Sequence, residues 1–129
     1  TLNARTSGIA DQFYQFDYSA TGQVIQYQDA LERQWSLRYD DAGRLTQVLN
    51  PQNVSTQYQY DNADRVTAVT HYVGEPIEFT EQFTYDSNGN ISAYEIPDTI
   101  RHEYRYNQLN LLSQAQLAVG TDQSATYLF

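Results

Sequence analysis

A tyrosine recurs along this chain at a nearly constant interval. The series comprises Tyr18, Tyr39, Tyr60, Tyr85, Tyr106 and Tyr127. Its members lie 21, 21, 25, 21 and 21 residues apart. In five of the six cases another large side chain stands two residues earlier, which is the alternation expected along one face of a β-strand. A fixed period of this length is typical of tandem repeats, so we expect copies of one small unit instead of a single globular core.

A turn signature follows the tyrosine in five copies. The next residue has a side-chain oxygen able to cap a turn, and three positions later stands a type that tolerates left-handed backbone. An aliphatic residue comes two positions after that, so each copy predicts a β-hairpin with a type I turn closed through a left-handed residue. The candidate turn residues are Asp40, Gly43, Asp61, Asp64, Asp86, Gly89, Asn107 and Asn110.

The second half of each copy predicts a returning strand with one irregularity. Three residues separate the aliphatic position from the next large residue, as from Leu45 to Val48, so we expect a bulge or strong twist there. Turn signals punctuate the linkers at 50–53, 74–76, 97–98 and 120–122. Helix-like composition at 28–34 and 110–119 is the weaker alternative, because the repeat predicts turn and strand in both segments.

We therefore predict an all-β fold of tandem antiparallel β-hairpins that form a curved, twisted open sheet. Residues 1–15 would be an N-terminal lead-in, and 16–129 about five repeats, with a sixth begun at Tyr127. The 129-residue chain starts at Thr1 and contains no Met, so we expect it to be a piece of a longer protein. An isolated segment of this kind has two unpaired sheet edges, which invite pairing with neighbouring repeats or with a second copy.

Composition excludes several function classes. The net charge of −9 disfavours binding to nucleic acid and to anionic membrane surfaces. No apolar run approaches the length of a membrane span. The absence of Cys removes disulfides, thiolate catalysis and Cys-ligated metals. No nucleophile, phosphate-loop or dinucleotide motif is present, and we predict neither catalytic residues nor a cofactor.

Metal binding is also not predicted. Asp86, Asn88 and Asn90 alternate as in a calcium loop, but Ile91 stands where the loop glycine belongs and Pro97 where the bidentate Glu belongs. His71 and His102 have no zinc-type spacing, and a structural or surface role is expected for both. The recurring aspartates are better explained as turn caps, since a catalytic role would not require one in every hairpin.

The aromatic residues leave a binding function open. Most recur in register and favour cross-strand packing. The tyrosines that lie off the main register are the better surface candidates for a ligand such as a sugar ring. They are Tyr14, Tyr27, Tyr72 and Tyr94.

The repeat motif resembles a known family. The segment at 39–46, YDDAGRLT, resembles the YD-repeat signature of the Rhs/YD-repeat family, and 60–67 and 85–92 look like further copies. The resemblance extends over roughly 16–129. It implies successive hairpins in a spiralling sheet, which in long arrays winds into a hollow shell around a C-terminal cargo. Relatives of this kind include bacterial polymorphic toxins, shell subunits of insecticidal toxin complexes, and teneurins.

The resemblance implies a scaffold function without chemistry. About five hairpins are too few to close a shell, and no Asp-Pro-x-Gly-type motif for self-cleavage is present. We therefore expect a non-enzymatic structural segment of a larger secreted or cell-surface bacterial protein, whose shell encloses or presents a toxin or cargo. The alternative is a carbohydrate-binding module that uses exposed tyrosines, and an enzyme is the least supported hypothesis.

Overall fold

The computed structural model describes residues 14–120 and 123–129 as a single antiparallel sheet. Eleven strands follow one another in the order of the chain, and each pairs only with its sequence neighbours. They are β1 Gln15–Tyr18, β2 Val24–Gln28, β3 Gln34–Tyr39, β4 Leu45–Leu49, β5 Ser55–Tyr60, β6 Val66–Val73, β7 Phe79–Tyr85, β8 Ile91–Ile96, β9 Ile100–Tyr106, β10 Leu112–Val119 and β11 Gln123–Leu128. The prediction of tandem β-hairpins in one open sheet is confirmed.

The segments with helix-like composition are strands and turns. Residues 28–34 contain the end of β2, a turn and the start of β3, while 110–119 contain the end of a turn and β10. Local helix propensity is overridden there because the strands in these segments pair with a neighbouring strand on each side. Most of the predicted lead-in lies outside the described residues, as does most of the turn signal at 120–122. No helix capable of crossing a membrane occurs in the described parts of the chain.

A bulge interrupts every tyrosine hairpin, as the odd spacing predicts. Arg38 pairs with Gln47 but the adjacent Tyr39 pairs with Leu45, so Thr46 has no partner across the ladder. The hairpins β1–β2, β5–β6, β7–β8 and β9–β10 show the same shift of register one residue after the aliphatic position. A bulge bends its strand and increases the local twist, so the bend recurs once per repeat at the same end of the sheet.

The sheet has two chemically different faces. Register places Tyr27 opposite Trp35, Phe83 opposite Tyr94, and Tyr104 opposite Ala115, so one face is aromatic and aliphatic. The opposite face is rich in glutamine, threonine and charge, with Gln47 opposite Gln57. We call these the aromatic face and the glutamine face.

The sheet is a single layer with little enclosed core. Among the described residues only Ala68, Ala115 and Ser55 are buried, and no large side chain is fully buried. Most large side chains on the aromatic face are half-buried, because each is covered by its cross-strand neighbours alone. Stability therefore depends on ladder hydrogen bonds and side-chain pairs between adjacent strands.

Candidate functional site

The residue after each repeat tyrosine closes the following turn with its side chain. Asp40 Oδ1 accepts hydrogen bonds from the backbone amides of Ala42 and Arg44, at 3.0 and 2.9 Å. Asp61, Asp86 and Asn107 accept the equivalent pair of amides at 2.8–3.1 Å. Backbone hydrogen bonds to the amides of Arg44, Arg65 and Asn90 contribute to lowering the pKa of Asp40, Asp61 and Asp86. For Asp86 the side-chain hydrogen bond from Asn90 contributes most.

The fourth residue of each turn adopts the left-handed conformation. Gly22, Gly43 and Gly89 have φ of 83°, 82° and 86°, while Asp64 and Asn110 have φ of 61° and 58°. This conformation costs an ordinary residue about 1–2 kcal/mol, which explains why glycine, aspartate and asparagine stand there in the five turns that follow a repeat tyrosine.

Side chains at the ends of three turns also bond to the next turn of the tyrosine series. Arg44 Nε donates to Asp40 Oδ2 at 2.8 Å, and Arg44 Nη1 reaches Asp64 Oδ1 of the next turn at 2.8 Å. Gln23 Nε2 donates to the carbonyl of Gly43 at 3.2 Å. In the C-terminal half of the sheet, Asn90 Nδ2 donates to Asn110 Oδ1 at 3.2 Å. We call this arrangement the turn ladder.

The repeat tyrosines link neighbouring strands that separate at the end of the sheet where the tyrosine turns lie. Tyr39 and Tyr60 donate their hydroxyls to the carbonyls of Val24 and Leu45, each at 2.7 Å. Tyr85 and Tyr106 make the same bond to Val66 and Ile91, at 2.7 and 2.8 Å. These four residues are called the tyrosine latch.

The geometry of the latch follows from the pairing of β4 and β5. Their ladder ends at Gln47 and Gln57, short of Leu45 and Tyr60, so the Leu45 carbonyl has no ladder donor across from it. The Tyr60 ring spans this gap with the Arg44 guanidinium 4.9 Å from its centroid. Burial raises the pKa of the Tyr60 hydroxyl above its ordinary value.

The first and last members of the tyrosine series occupy different positions. Tyr18 lies in the edge strand β1 and is 59% exposed. Tyr127 pairs with Ala115, the place taken by Trp35 opposite Tyr27 in an earlier hairpin. It therefore lies four residues before the latch position, because twelve residues separate Tyr127 from its partner Ala115, whereas eight separate Trp35 from Tyr27.

Two turns of the same kind lie at the opposite end of the strands. The sequence predicts a turn at 50–53 but not its likeness to the tyrosine turns, and it does not predict the turn at Asp29. Asp29 Oδ1 accepts from the amides of Leu31 and Arg33 at 2.9 and 3.0 Å, and Glu32 has φ of 60°. Asn50 accepts from the amides of Gln52 and Val54, both at 2.9 Å. Neither residue follows a tyrosine, so the alignment on tyrosine hid the motif. The available signal was the interval of ten or eleven residues between Ser19, Asp29, Asp40, Asn50 and Asp61.

A polar cluster interrupts the aromatic face at the middle of the sheet. His71 Nε2 lies 2.7 Å from Glu81 Oε2, and the Tyr94 hydroxyl donates to Glu81 Oε1 at 2.8 Å. These two contacts lower the pKa of Glu81, with the His71 contact contributing most. Burial, followed by the bond to Glu81, raises the pKa of Tyr94. Both carboxylate oxygens of Glu81 are thus bonded within the protein, which is typical of a structural cluster.

The four candidate ligand tyrosines do not form one site. Tyr14 lies at the β1 edge and stacks on Phe16, and Tyr27 is stacked on Trp35 with 4.7 Å between centroids. Tyr72 is 41% exposed, whereas Tyr94 is half-buried and bonded to Glu81. They are distributed from the first strand to the eighth, so no single ligand ring could contact all four.

Two depressions lie on the aromatic face. The first, the Trp35 cleft, has a volume of about 200 Å³ and is lined by Trp35, Val48, Asn50, Val54, Thr56, His71 and Tyr72. The second has about 370 Å³ and is lined by Phe83, Ile91, Tyr94, Tyr104, Tyr106 and Leu112. No group of three or more His, Asp or Glu side chains placed to share a metal ion occurs in the described ranges. In the calcium-like segment, both carboxylate oxygens of Asp86 accept hydrogen bonds from Asn88 and Asn90.

These features define a protein built from tandem β-hairpin repeats with capped turns. The family model of the RHS Repeat matches residues 18–55 and 39–74. Residues 18–74 thus contain RHS repeats, in agreement with the predicted resemblance to the Rhs/YD-repeat family, and this match supports a structural repeat segment of an Rhs protein. No curated protein matches it.

Solved structures of toxin complexes share the fold. The Tc holotoxin pore of Photorhabdus luminescens is 17% identical with a TM-score of 0.58, over 80% of this chain and 7% of that chain. The TcdB2-TccC3-TEV structure is 16% identical with a TM-score of 0.67, over 86% and 7%. TcdB2-TccC3 without its hypervariable C-terminal region is 18% identical with a TM-score of 0.59, over 83% and 7%. The chain spans 7% of each of these chains, and at this identity the likeness concerns the fold alone.

Proposed function

We propose that this segment forms part of the wall of a β-shell that encloses or presents a C-terminal toxin or cargo in a larger bacterial protein. The tyrosine latch carries the proposal, because it repeats one bent hairpin unit along a sheet open at both edges. Repetition of a fixed bend with free edges is what a wall of indefinite length requires. The fold shared with parts of Tc toxin structures supports this assignment.

In this proposal the recurring polar residues have a structural function. Asp40, Asp61, Asp86 and Asn107 cap turns, the left-handed residues close them, and the turn ladder aligns one hairpin with the next. The segment is non-enzymatic and needs no cofactor. Its partners are neighbouring repeats that add strands to β1 and β11, and the parent protein is secreted or displayed on the cell surface.

Limited proteolysis of the parent polypeptide tests enclosure. We expect its C-terminal region to resist protease while the tyrosine latch is intact. The double variant Tyr60→Ala, Tyr85→Ala should expose that region at a protease concentration the natural protein withstands. The double variant Gln59→Ala, Gln82→Ala changes the exposed glutamine face of the same strands and serves as the control. A C-terminal region that is cleaved equally fast in the natural protein would contradict enclosure.

Carbohydrate binding by Tyr14, Tyr27, Tyr72 and Tyr94 remains the alternative hypothesis. Their dispersal along the sheet does not favour a binding site shared by these four side chains. Titration of the chain with oligosaccharides while tyrosine emission is recorded would test it, and a saturable response would revive it.

A further inference from the structure

Asn88 is the one asparagine of the chain that is followed by glycine. The side-chain amide of an asparagine is open to attack by the backbone nitrogen of the next residue, and a side chain on that residue shields the nitrogen. Glycine has no side chain, so the nitrogen of Gly89 is the least shielded of its kind in the chain. The other asparagines all precede a residue with a side chain; they are Asn3, Asn50, Asn53, Asn62, Asn90, Asn107 and Asn110.

The folded turn exposes Asn88 but restrains the two groups that would react. The residue is solvent-exposed, and its Nδ2 donates to Asn110 Oδ1 of the next tyrosine turn at 3.1 Å, beside the Asn90 contact of the turn ladder. The Gly89 amide donates to the carbonyl of Asp86 at 3.1 Å. Both hydrogen bonds must break before the nitrogen can attack, so the reaction requires a local opening of this turn.

A positive charge stands beside the nitrogen that would attack. A Cβ at Gly89 would lie 3.9 Å from Arg65 Nη1, and Asp61 holds this guanidinium in place through a contact of 2.7 Å. In the preceding turn the equivalent Arg44 Nη1 reaches the carboxylate of Asp64, whereas Gly89 offers Arg65 no carboxylate. The guanidinium therefore lies near the Gly89 backbone, where its charge favours loss of the amide proton and the negative charge that develops on the attacked carbonyl oxygen.

We propose that Asn88 is a site of spontaneous deamidation and that its contact with Asn110 controls the rate. The Gly89 nitrogen loses its proton to solvent and forms a bond to Cγ of Asn88, the Cγ–Nδ2 bond breaks, and Nδ2 takes up a proton and leaves as ammonia. Water then opens the resulting five-membered imide. Opening at Cγ gives aspartate at position 88, and opening at the main-chain carbonyl gives isoaspartate. In sum, one amide and one water become one carboxylic acid and one ammonia, without any change of oxidation state.

The reaction replaces a hydrogen-bond donor with a carboxylate. A carboxylate at position 88 cannot donate to Asn110 Oδ1, so this contact between turns is lost. Isoaspartate also adds one carbon to the main chain between the amides of Asn88 and Asn90, which Asp86 Oδ1 caps together. The join between the β7–β8 and β9–β10 hairpins therefore weakens as the protein ages. This modification goes beyond the shell function and does not depend on it.

Incubation of the whole chain at mildly alkaline pH, followed by mass spectrometry, locates the reaction. Trypsin cleaves after Arg65 and Arg101 and releases residues 66–101, in which Asn88 and Asn90 are the asparagines. We expect a mass gain of about one dalton at Asn88, while Asn90 stays unchanged as the internal control. Enzymatic methylation of isoaspartate gives a second readout. The rate should be higher in guanidinium chloride, where no turn is formed.

The variant Asn110→Gly tests the contact between turns. It removes the acceptor of Asn88 Nδ2, and glycine holds the same left-handed position at Gly22. We expect deamidation to accelerate about two- to tenfold, the effect of losing one hydrogen bond. Asp64→Gly makes the corresponding change in an earlier turn and should leave the rate unchanged. Circular dichroism verifies that both variants are folded.

Four results would each overturn the proposal. They are a rate at Asn88 no higher than at Asn90, equal rates in the folded and the denatured chain, an unchanged rate in Asn110→Gly, and an equal acceleration in Asp64→Gly.

Discussion

The repeat tyrosine performs two tasks with one side chain. Its ring lies on the aromatic face, and its hydroxyl satisfies a carbonyl that the bulged hairpin leaves without a ladder donor, as Tyr60 does for Leu45. Phenylalanine would supply the first task but not the second, which explains why tyrosine marks the period. Alternation along the strand predicts the position of the ring. The hydrogen bond of the hydroxyl depends on the distance between two strand ends that are not adjacent in the sequence. No local sequence pattern encodes that distance.

Tyr60→Phe isolates the contribution of the latch hydroxyl. We expect a loss of about 1–2 kcal/mol in the free energy of unfolding, because a half-buried carbonyl loses its partner while ring packing is retained. Urea denaturation followed by circular dichroism measures the loss. Tyr18→Phe, at the exposed edge strand, should change stability by less than about 0.5 kcal/mol. Equal effects in the two variants would show that the hydrogen bond contributes nothing.

The capping aspartates predict a loss of stability in acid. Hydrogen bonds to turn amides and to the residues at the ends of the turns lower the folded-state pKa of Asp29, Asp40, Asp61 and Asp86. As pH falls, the unfolded chain therefore binds protons first, near its ordinary pKa of about 3.9. The stabilisation is fully present above about pH 5 and is lost as pH falls through about 4 toward the folded-state pKa.

Asp61→Asn tests this pH dependence within one turn. Asparagine caps the corresponding turn at Asn107, so the variant should keep the hydrogen bonds to Ala63 and Arg65. We expect a smaller drop of the urea midpoint between pH 7 and pH 3 than in the natural chain. Asp41→Asn makes the same change of net charge outside the cap and serves as the control. A drop of unchanged size in Asp61→Asn would remove this carboxylate from the explanation.

At the scale of the element, the hairpin is more regular than the tyrosine period suggests. Turns of the same capped type occur at both ends of the strands in the part of the chain that includes Asn50. The first five turns therefore recur at about half the tyrosine interval. The bulge was predictable because three residues cannot return a side chain to the same face of a flat strand. The turn at Asp29 was hidden by a leucine-, glutamate- and arginine-rich composition that reads as helix.

Gly22→Val and Gly22→Asn test the left-handed turn position without steric interference. No atom lies within 4 Å of the place where a Cβ would stand at Gly22, so any cost comes from the backbone alone. We expect valine to destabilise the chain by about 1–2 kcal/mol, and asparagine by clearly less, because asparagine tolerates this conformation. Asp64 and Asn110 already occupy the position with φ near 60°. Thermal unfolding compares the two, and an equal loss would contradict the assignment of strain.

For the whole molecule, the sequence predicts a sheet but not the Trp35 cleft. The all-β repeat follows from the period of tyrosine, turn and aliphatic residue, and the family from the YD-type motif. The Trp35 cleft depends on a bulge at Tyr72 and on stacking between Tyr27 and Trp35, which are properties of register. Tyr27 and Tyr72 were candidate ligand residues, whereas the sequence pattern does not single out Trp35. Trp35 lines the cleft because β3 and β6 flank two strands with small side chains.

The single-layer architecture leaves large apolar side chains exposed on both edge strands. Phe16 of β1 is 46% exposed and Tyr127 of β11 is 52% exposed, although most large side chains of the inner strands are half-buried. Unpaired backbone groups and exposed rings on the same strands favour the addition of another strand. We therefore expect the isolated chain to self-associate through β1 and β11, in the way that neighbouring repeats would pair with it.

The double variant Phe16→Lys, Tyr127→Lys should abolish this association. Lysine on an edge strand opposes pairing because its charge would be desolvated between two strands. Gln59→Lys, Gln82→Lys makes the same change of net charge on inner strands and should associate like the natural chain. Sedimentation velocity over a range of concentrations distinguishes the variants. Association through the edges requires that the natural chain associates and that only the edge variant dissociates. A natural chain that stays monomeric, or an inner-strand variant that dissociates equally, would show that this sheet ends by itself and is not one section of a continuous wall.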